Sequence, residues 1–447
     1  MGLRGAEGHR GTAAGSASGP GASPGSGRRF ADAAACVHAE TLPNGLEMLV
    51  WSDRNIPNIA LYNWVHVGSR NEGAGTSGLA HFFEHMMFNG TTRHAQGEFD
   101  RLLESRGGSN NAYTSQDVTV YQDWVPRSAL ELVFELESDR LANLALRPEI
   151  VEKERAVVWS ERRLRVEDSS AALLEEQVQA TAFLAHPYRI PTIGWPADIR
   201  SWTMSDLQCF YATYYAPNNC TLVLAGDLDR DTALALAERY FGSVPRRGAP
   251  PPVRTEEPEQ RGERRLVLER PAQNPIVHYA YHAIAAADPR EPALNILQTI
   301  LLGGDCSRLH RALVEEQKRA VAVSGGWSGG FDPTLFSIQT ILPEGGDVEA
   351  LQCSLDAELA RLVDHGVSDA ELRRGKNIVA ADFWRGVSTV DGKARLLGEY
   401  AVLHGDHAGL FTAPALYEQV TREDVAAVAR TVFHPDRRTV GVLRPAD

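Results

Sequence analysis

The feature that most restricts how this chain can fold is that part of it is written twice. Thr203, Asp206, Pro217 and Thr221 return as Thr421, Asp424, Pro435 and Thr439, each 218 positions later, with apolar positions kept between them. A Thr followed three residues on by an acid caps a helix start, a Pro stops the helix, and the apolar run beyond it reads as a strand. A helix, a turn and a strand are therefore used twice. A second register, 214 positions long, sets Phe88-Asn89-Gly90 against Leu302-Gly303-Gly304 and places His81, Glu84 and His85 against Asn295, Gln298 and Thr299. On that register the second copy has lost its metal-binding groups.

The stretch His81-Phe82-Phe83-Glu84-His85 carries the chemistry. In a helix turning about 100° per residue, the two histidines and Glu84 share an arc of about 100° on one face. Zinc takes imidazole and carboxylate ligands, and two histidines one turn apart supply two of them from a rigid backbone. Glu84 is placed to accept a proton from a water activated there. This is the inverted His-Glu-x-x-His arrangement, the inverzincin signature. The plain alternative is a pair of structural histidines on an amphipathic helix, because five-residue patterns also arise by chance. Pro148 opens a helix that runs from Glu149 past Arg165. In it Glu154 and Glu161 fall within about 20° of one another, two turns apart. Either could be the third ligand, and their charged neighbours equally allow a solvated face.

Composition narrows the class. A chain of 447 residues with 43% hydrophobic and 23% charged residues has ordinary globular make-up and length enough for more than one domain. A net charge of -13 and a pI near 5.6 argue against nucleic acid or an anionic membrane surface as partner, since phosphate contacts need clustered Lys and Arg. No apolar run approaches the roughly 20 residues of a membrane span. Five cysteines without C-x-x-C spacing are expected to be free thiols, mostly buried. Residues 1–34, rich in Gly, Ala, Ser and Pro, read as a flexible tail. Arg28-Arg29-Phe30 and Ala33-Ala34-Ala35-Cys36 outline export signals, but no apolar segment joins either. The expectation is a soluble chain, cytoplasmic as written and periplasmic if translation starts elsewhere.

Along the chain, Leu42-Pro43-Asn44-Gly45-Leu46 signals a hairpin turn into a strand ending at Trp51. Residues 59–67 alternate as a strand with both faces covered, and His66 beside Tyr62 and Trp64 reads as structural. Residues 99–105 predict a helix, 110–125 a long strand or hairpin, 128–144 a helix, and 204–215 a helix leading to a strand at 221–225. Residues 246–263, with Pro250-Pro251-Pro252, look like a linker. The expected domains are 35–245 and 264–447.

Several stretches together resemble the pitrilysin-type (M16) zinc peptidases, particularly bacterial members similar to the mitochondrial processing peptidase. They are Leu42–Leu46, Val67-Gly68-Ser69-Arg70-Asn71-Glu72, Gly78 through Thr91, Asn111-Ala112-Tyr113-Thr114-Ser115, Glu154-Arg155-Ala156-Val157-Val158, and His186-Pro187-Tyr188 through Asn218-Asn219. The resemblance implies an α+β fold of two homologous halves, each an antiparallel sheet flanked by helices, joined by the linker into a clamshell around an unfolded peptide. It implies one zinc ion per chain held by His81, His85 and Glu161, with Glu84 as general base and Glu154 in support behind the ligands. It places substrate as an added strand near Asn111 and Ala112, and it implies a homodimer or a heterodimer with a second such subunit. The activity implied is a zinc metalloendopeptidase. The competing expectation is a non-catalytic scaffold, or a peptide-binding subunit that needs a partner chain.

Overall fold

The computed structural model describes Phe30 and residues 33–446. The tail reading of residues 1–34 lies outside the described residues except at Phe30, Ala33 and Ala34. Phe30 is buried, its ring 5.4, 5.1 and 5.2 Å from those of Phe383, Trp384 and Phe411. One aromatic residue in a small-residue stretch thus finds an aromatic pocket that composition alone does not reveal.

Two mixed sheets form the frame. The first contains β1 (Val37–Thr41), β2 (Glu47–Ser52), β3 (Asn58–Val65), β4 (Ser109–Thr114), β5 (Thr119–Pro126) and β6 (Cys220–Gly226), in the spatial order β1-β2-β6-β3-β5-β4. The second contains β7 (Arg264–Arg270), β8 (Ile276–His282), β9 (Ala322–Trp327), β10 (Leu335–Ile341) and β11 (Arg438–Pro445), in the order β7-β11-β8-β10-β9. Leaving out β1, the second order repeats the first strand for strand. The twice-written stretch sits at corresponding places: Thr203 with Asp206 and Thr421 with Asp424 each close a reciprocal cap, and β6 and β11 follow.

The sheets are antiparallel as expected apart from one pairing in each. β2 runs parallel to β6, and β7 parallel to β11. The closing strand of each unit arrives from a helix rather than a hairpin, and that return lets it run alongside the first strand in the same direction. The stretch read as a long strand or hairpin is a hairpin: β4 pairs with β5 in register Thr114 with Thr119, and β4 is left as the outer edge.

Alternation along β3 sorts the core. Ile59, Leu61 and Val65 face a core that includes Phe82, Phe83 and Phe210, whereas Ala60, Tyr62 and Trp64 face a core continuous with Val277, Tyr279 and Leu297 of the second unit. Helices α1 (Leu79–Met86) and α2 (Pro148–Arg162) pack on the first unit's own side, and α4 (Glu291–Leu302) answers α1 in the second. Between α2 and α4 in the chain, α3 (Ser170–Ala182) leaves the first unit and lies on the second sheet. In return α5 (Val390–Val402) lies on the first sheet.

Glycines permit both approaches. A Cβ on Gly441 would stand 2.3 Å from Val178 Cγ2, and one on Gly398 would stand 2.2 Å from Trp64 Nε1. Asp391 of α5 accepts hydrogen bonds from the Tyr62 hydroxyl and, at 2.6 Å, from Trp124 Nε1. Each half therefore holds a helix of the other, which is closer than a linker-joined clamshell requires. Residues 246–263 carry neither helix nor strand.

The cysteines are free, but the expectation that most are buried fails. Only Cys220, in the core strand β6, is buried, while Cys36, Cys209, Cys306 and Cys353 are exposed because they stand on outward-facing positions of short turns and helices.

Candidate metal centre

The site begins with the way α1 is set in place. Leu79, Ala80, Phe82, Phe83 and Met86 are buried, and burying that stripe turns His81, Glu84 and His85 to the other side of the helix. The start of α1 is held by Glu72, whose carboxylate accepts the N–H groups of Gly78 and Ala80, both at 2.6 Å. Burial raises the Glu72 pKa well above the usual carboxylate range, and these two amides at the positive end of the helix oppose that rise. Gly78 takes φ +88° and would put a Cβ 2.6 Å from Ile193 O, so the close crossing with the 193–194 turn needs glycine.

The distant carboxylate does reach the imidazoles. Glu161 Oε2 lies 3.7 Å from His81 Nε2 and 3.2 Å from His85 Nε2. These three residues offer ligand atoms all within 4.8 Å of one another. Tetrahedral coordination with bonds of about 2.0–2.1 Å separates neighbouring ligand atoms by about 3.3 Å; the Glu161 separations are near that, so the trio could form a zinc site once the two imidazoles draw together. Glu161 Oε2 is buried and has no hydrogen-bond donor, although a buried carboxylate oxygen needs a partner. Glu154 stands on the far side of the His85 ring, 2.7 Å from Nδ1, and its other oxygen takes a hydrogen bond from Asn89 Nδ2 at 2.9 Å. Helical spacing could not separate the two glutamates; their positions around one imidazole do.

Electrostatics follow from this placement. Burial, then the charge of His85, lowers the His81 pKa to about 4, so His81 is a neutral imidazole with a free lone pair. Burial alone would lower His85 as well, but its hydrogen bond with Glu154 and the two carboxylates of Glu154 and Glu161 beside it override that and raise it to about 9 in the metal-free protein. His85, whose Nε2 stands 3.2 Å away, and after it the charges of His81 and Arg165 hold Glu161 below the usual carboxylate range. Burial raises Glu84, opposed by a hydrogen bond from Thr114 Oγ1 to Glu84 Oε2 at 2.5 Å, which moves a carboxylate toward the range where it exchanges protons.

Beside Glu84 and His85 lies an open cavity of about 470 Å³ that also touches Phe88, Asn111 and Ala112. Asn111 and Ala112 belong to the edge strand β4. Three supporting groups were not singled out from the sequence: Glu72, Thr114, and Arg165, whose Nε is 3.1 Å from Glu161 Oε1. Glu72 and Thr114 lie within stretches that carry the family resemblance, but their partners are fixed only by folding. Arg165 sits on a π-helical turn, Arg163–Glu167, and such turns have no clear sequence signal although they cluster at functional sites. His66 is structural, with Nε2 3.0 Å from Thr221 Oγ1. On α4, Gln298 Oε1 accepts the Trp327 N–H at 2.7 Å, and Thr299 bonds Asn295 O at 2.8 Å. Among the described residues only the first unit gathers a group able to hold a metal.

A duplicated α+β chain that, among the described residues, gathers such a trio in one unit only has the make-up of a two-unit protein with a metal site in its first half. Known proteins agree. Residues 49–194 match the model for insulinase (peptidase family M16), and residues 201–379 match the model for the peptidase M16 inactive domain. The chain is 30% identical to the zinc protease PqqE of Helicobacter pylori over 91% of its own length and 92% of that protein's. It is 24% identical to a probable mitochondrial-processing peptidase subunit beta of Arabidopsis thaliana, over 91% of this chain and 78% of that one. It also superposes on the crystal structure of a protease from Helicobacter pylori with a TM-score of 0.89 at 30% identity, covering 92% of this chain and 99% of that one. The chain belongs to peptidase family M16.

Proposed function

We propose that this protein is a zinc-dependent metalloendopeptidase acting on peptides or unfolded polypeptides. The observation that carries the reading is Glu161 Oε2, a buried oxygen without a donor, turned toward two imidazole Nε2 atoms. His81, His85 and Glu161 would hold one zinc ion, which when bound supplies acidity to a water molecule and polarises a peptide carbonyl. Glu84, with one oxygen fixed by Thr114, takes the proton from the attacking water and passes it to the leaving amine. Glu154 keeps the His85 ring oriented and its Nδ1 occupied, leaving Nε2 to face Glu161. The unpaired edge of β4, at Asn111 and Ala112, takes substrate as an extended strand whose backbone hydrogen bonds are indifferent to side chains.

The edge of β4 and the cavity beside Glu84 and His85 open to one side of the chain and are not enclosed by it. Enclosing a polypeptide there calls for a second subunit, a copy of this chain or a related one. Mass in solution together with cleavage of a quenched peptide by the isolated chain tests that dependence.

The central test compares wild type with Glu84→Gln by zinc analysis and peptide-library cleavage. Both proteins should hold one zinc per chain, and the variant should lose on the order of 10² to 10⁴ in turnover. Equal cleavage by the two would remove Glu84 from the chemistry, and protein without zinc or cleavage would leave a scaffold or peptide-binding subunit.

A further inference from the structure

Among the described residues the second unit has no metal trio, yet one of its residues, Asp332, binds Arg70 of the first unit, two positions before Glu72. Arg70 is 11% exposed and lies where the two units meet. Its Nη1 donates to Asp117 Oδ1 at 3.1 Å, and its Nη2 donates to Asp332 Oδ2 at 2.5 Å. The guanidinium carbon stands 5.7 Å from the Tyr188 ring centre and 5.3 Å from that of Phe331. Asp117 in turn accepts the Phe331 N–H at 3.1 Å and the Tyr188 hydroxyl at 2.8 Å, and Tyr188 accepts the Asp332 N–H at 3.1 Å. Asp332 also lies 3.1 Å from His186 Nε2. A Cβ on Gly330 would stand 2.6 Å from the Tyr188 hydroxyl, so the second unit's 330–332 turn is fitted closely into this cluster.

Both supports of Glu84 start from this cluster. Two residues after Arg70, Glu72 holds the first amides of α1. Three residues before Asp117, Thr114 holds the Glu84 carboxylate. The two segments are also joined directly, Arg70 N–H to Gln116 O at 2.9 Å and Ser69 N–H to Ser115 O at 3.2 Å. An Arg that binds two carboxylates fixes the angle between the segments that carry them.

We propose that Asp332, in the unit without metal ligands, is a positioning residue for the first unit's site: through Arg70 it sets α1 and Thr114 relative to one another. This rests on the peptidase reading above, and the measurements are chosen so that the two can fail separately. Losing the Asp332 carboxylate leaves Arg70 with one partner and lets the 68–72 turn shift. A displacement near 1 Å at reacting groups lowers turnover by up to about a hundredfold.

The experiment measures kcat, KM and zinc affinity by chelator competition for the full chain as wild type, Asp332→Ala, Arg70→Met and the double variant. Asp332→Ala is expected to lower kcat about ten- to hundredfold with KM within about twofold, and to weaken zinc binding about tenfold. In the Arg70→Met background, Asp332→Ala should change neither quantity further. If Asp332→Ala does not fold, Asp332→Asn takes its place, since it keeps shape and acceptor but removes the charge. Unchanged kcat and zinc affinity in a folded variant, or losses that add in the double variant, would overturn the proposal. If wild type cleaves no peptide, the peptidase reading fails, while the zinc-affinity comparison still decides whether Asp332 positions the site.

Discussion

His85 is the residue on which the site turns, because both glutamates that spacing left open bind the same ring from opposite sides. Glu154 addresses Nδ1 and Glu161 addresses Nε2. Removing the Glu154 carboxylate, as in Glu154→Ala, frees the ring and should weaken zinc binding about 10- to 100-fold, read by chelator competition; an unchanged affinity would show that Glu154 does not tune the site. The same ring sets a pH dependence for the metal-free protein. Its pKa is raised from 6.5 to about 9 on folding, so its contribution to stability is complete below about 6.5 and is lost as pH rises toward about 9. Thermal unfolding of metal-free protein should therefore move to lower temperature between these values, and Glu154→Ala should flatten that slope. The histidines and Glu84 were legible in the sequence because three groups on one helical turn must share a face. Helical spacing did not choose between Glu154 and Glu161, because they share a face and differ in which nitrogen of a remote ring each meets; only the family resemblance singled out Glu161.

At the scale of elements, period-two alternation disclosed β3 and its two buried faces, and the capped repeat disclosed the helix and strand that close each unit. What alternation does not encode is the neighbour. The parallel pairing of β2 with β6 and the division of residues 110–125 into two strands depend on where the chain returns. The exchange of α3 and α5 was equally hidden, since an apolar helical face is the same whichever sheet it covers. Its sequence trace is glycine at the contact. Gly441→Val and Gly398→Val would drive side-chain atoms into Val178 and Trp64, and overpacking of this kind costs about 1–3 kcal/mol. Urea denaturation should show a loss of that size for each variant. Wild-type stability in both would mean that the helices sit on the sheets less tightly than these contacts indicate.

For the whole molecule, exchanged helices mean that each half leaves one face of its sheet for the other to cover. The first sheet's inner face, with Tyr62 and Trp64, is covered by α5 from the second half, and the second sheet's face, at Gly441, is covered by α3 from the first. The duplication was plain from residues 203–221 and 421–439, but two copies in a sequence do not say whether they fold as separate bodies. The buried contacts do. If residues 246–263 are cut by a protease at an engineered site, the pieces should remain together at the 48.9 kDa of the intact chain or a multiple of it. They should also melt in one cooperative transition, because separation would expose both sheet faces at once. Expressed apart, residues 35–245 and 264–447 should each be insoluble or unfolded, and recover structure only when refolded together. Two independently folded halves with separate transitions would contradict the interlocked core.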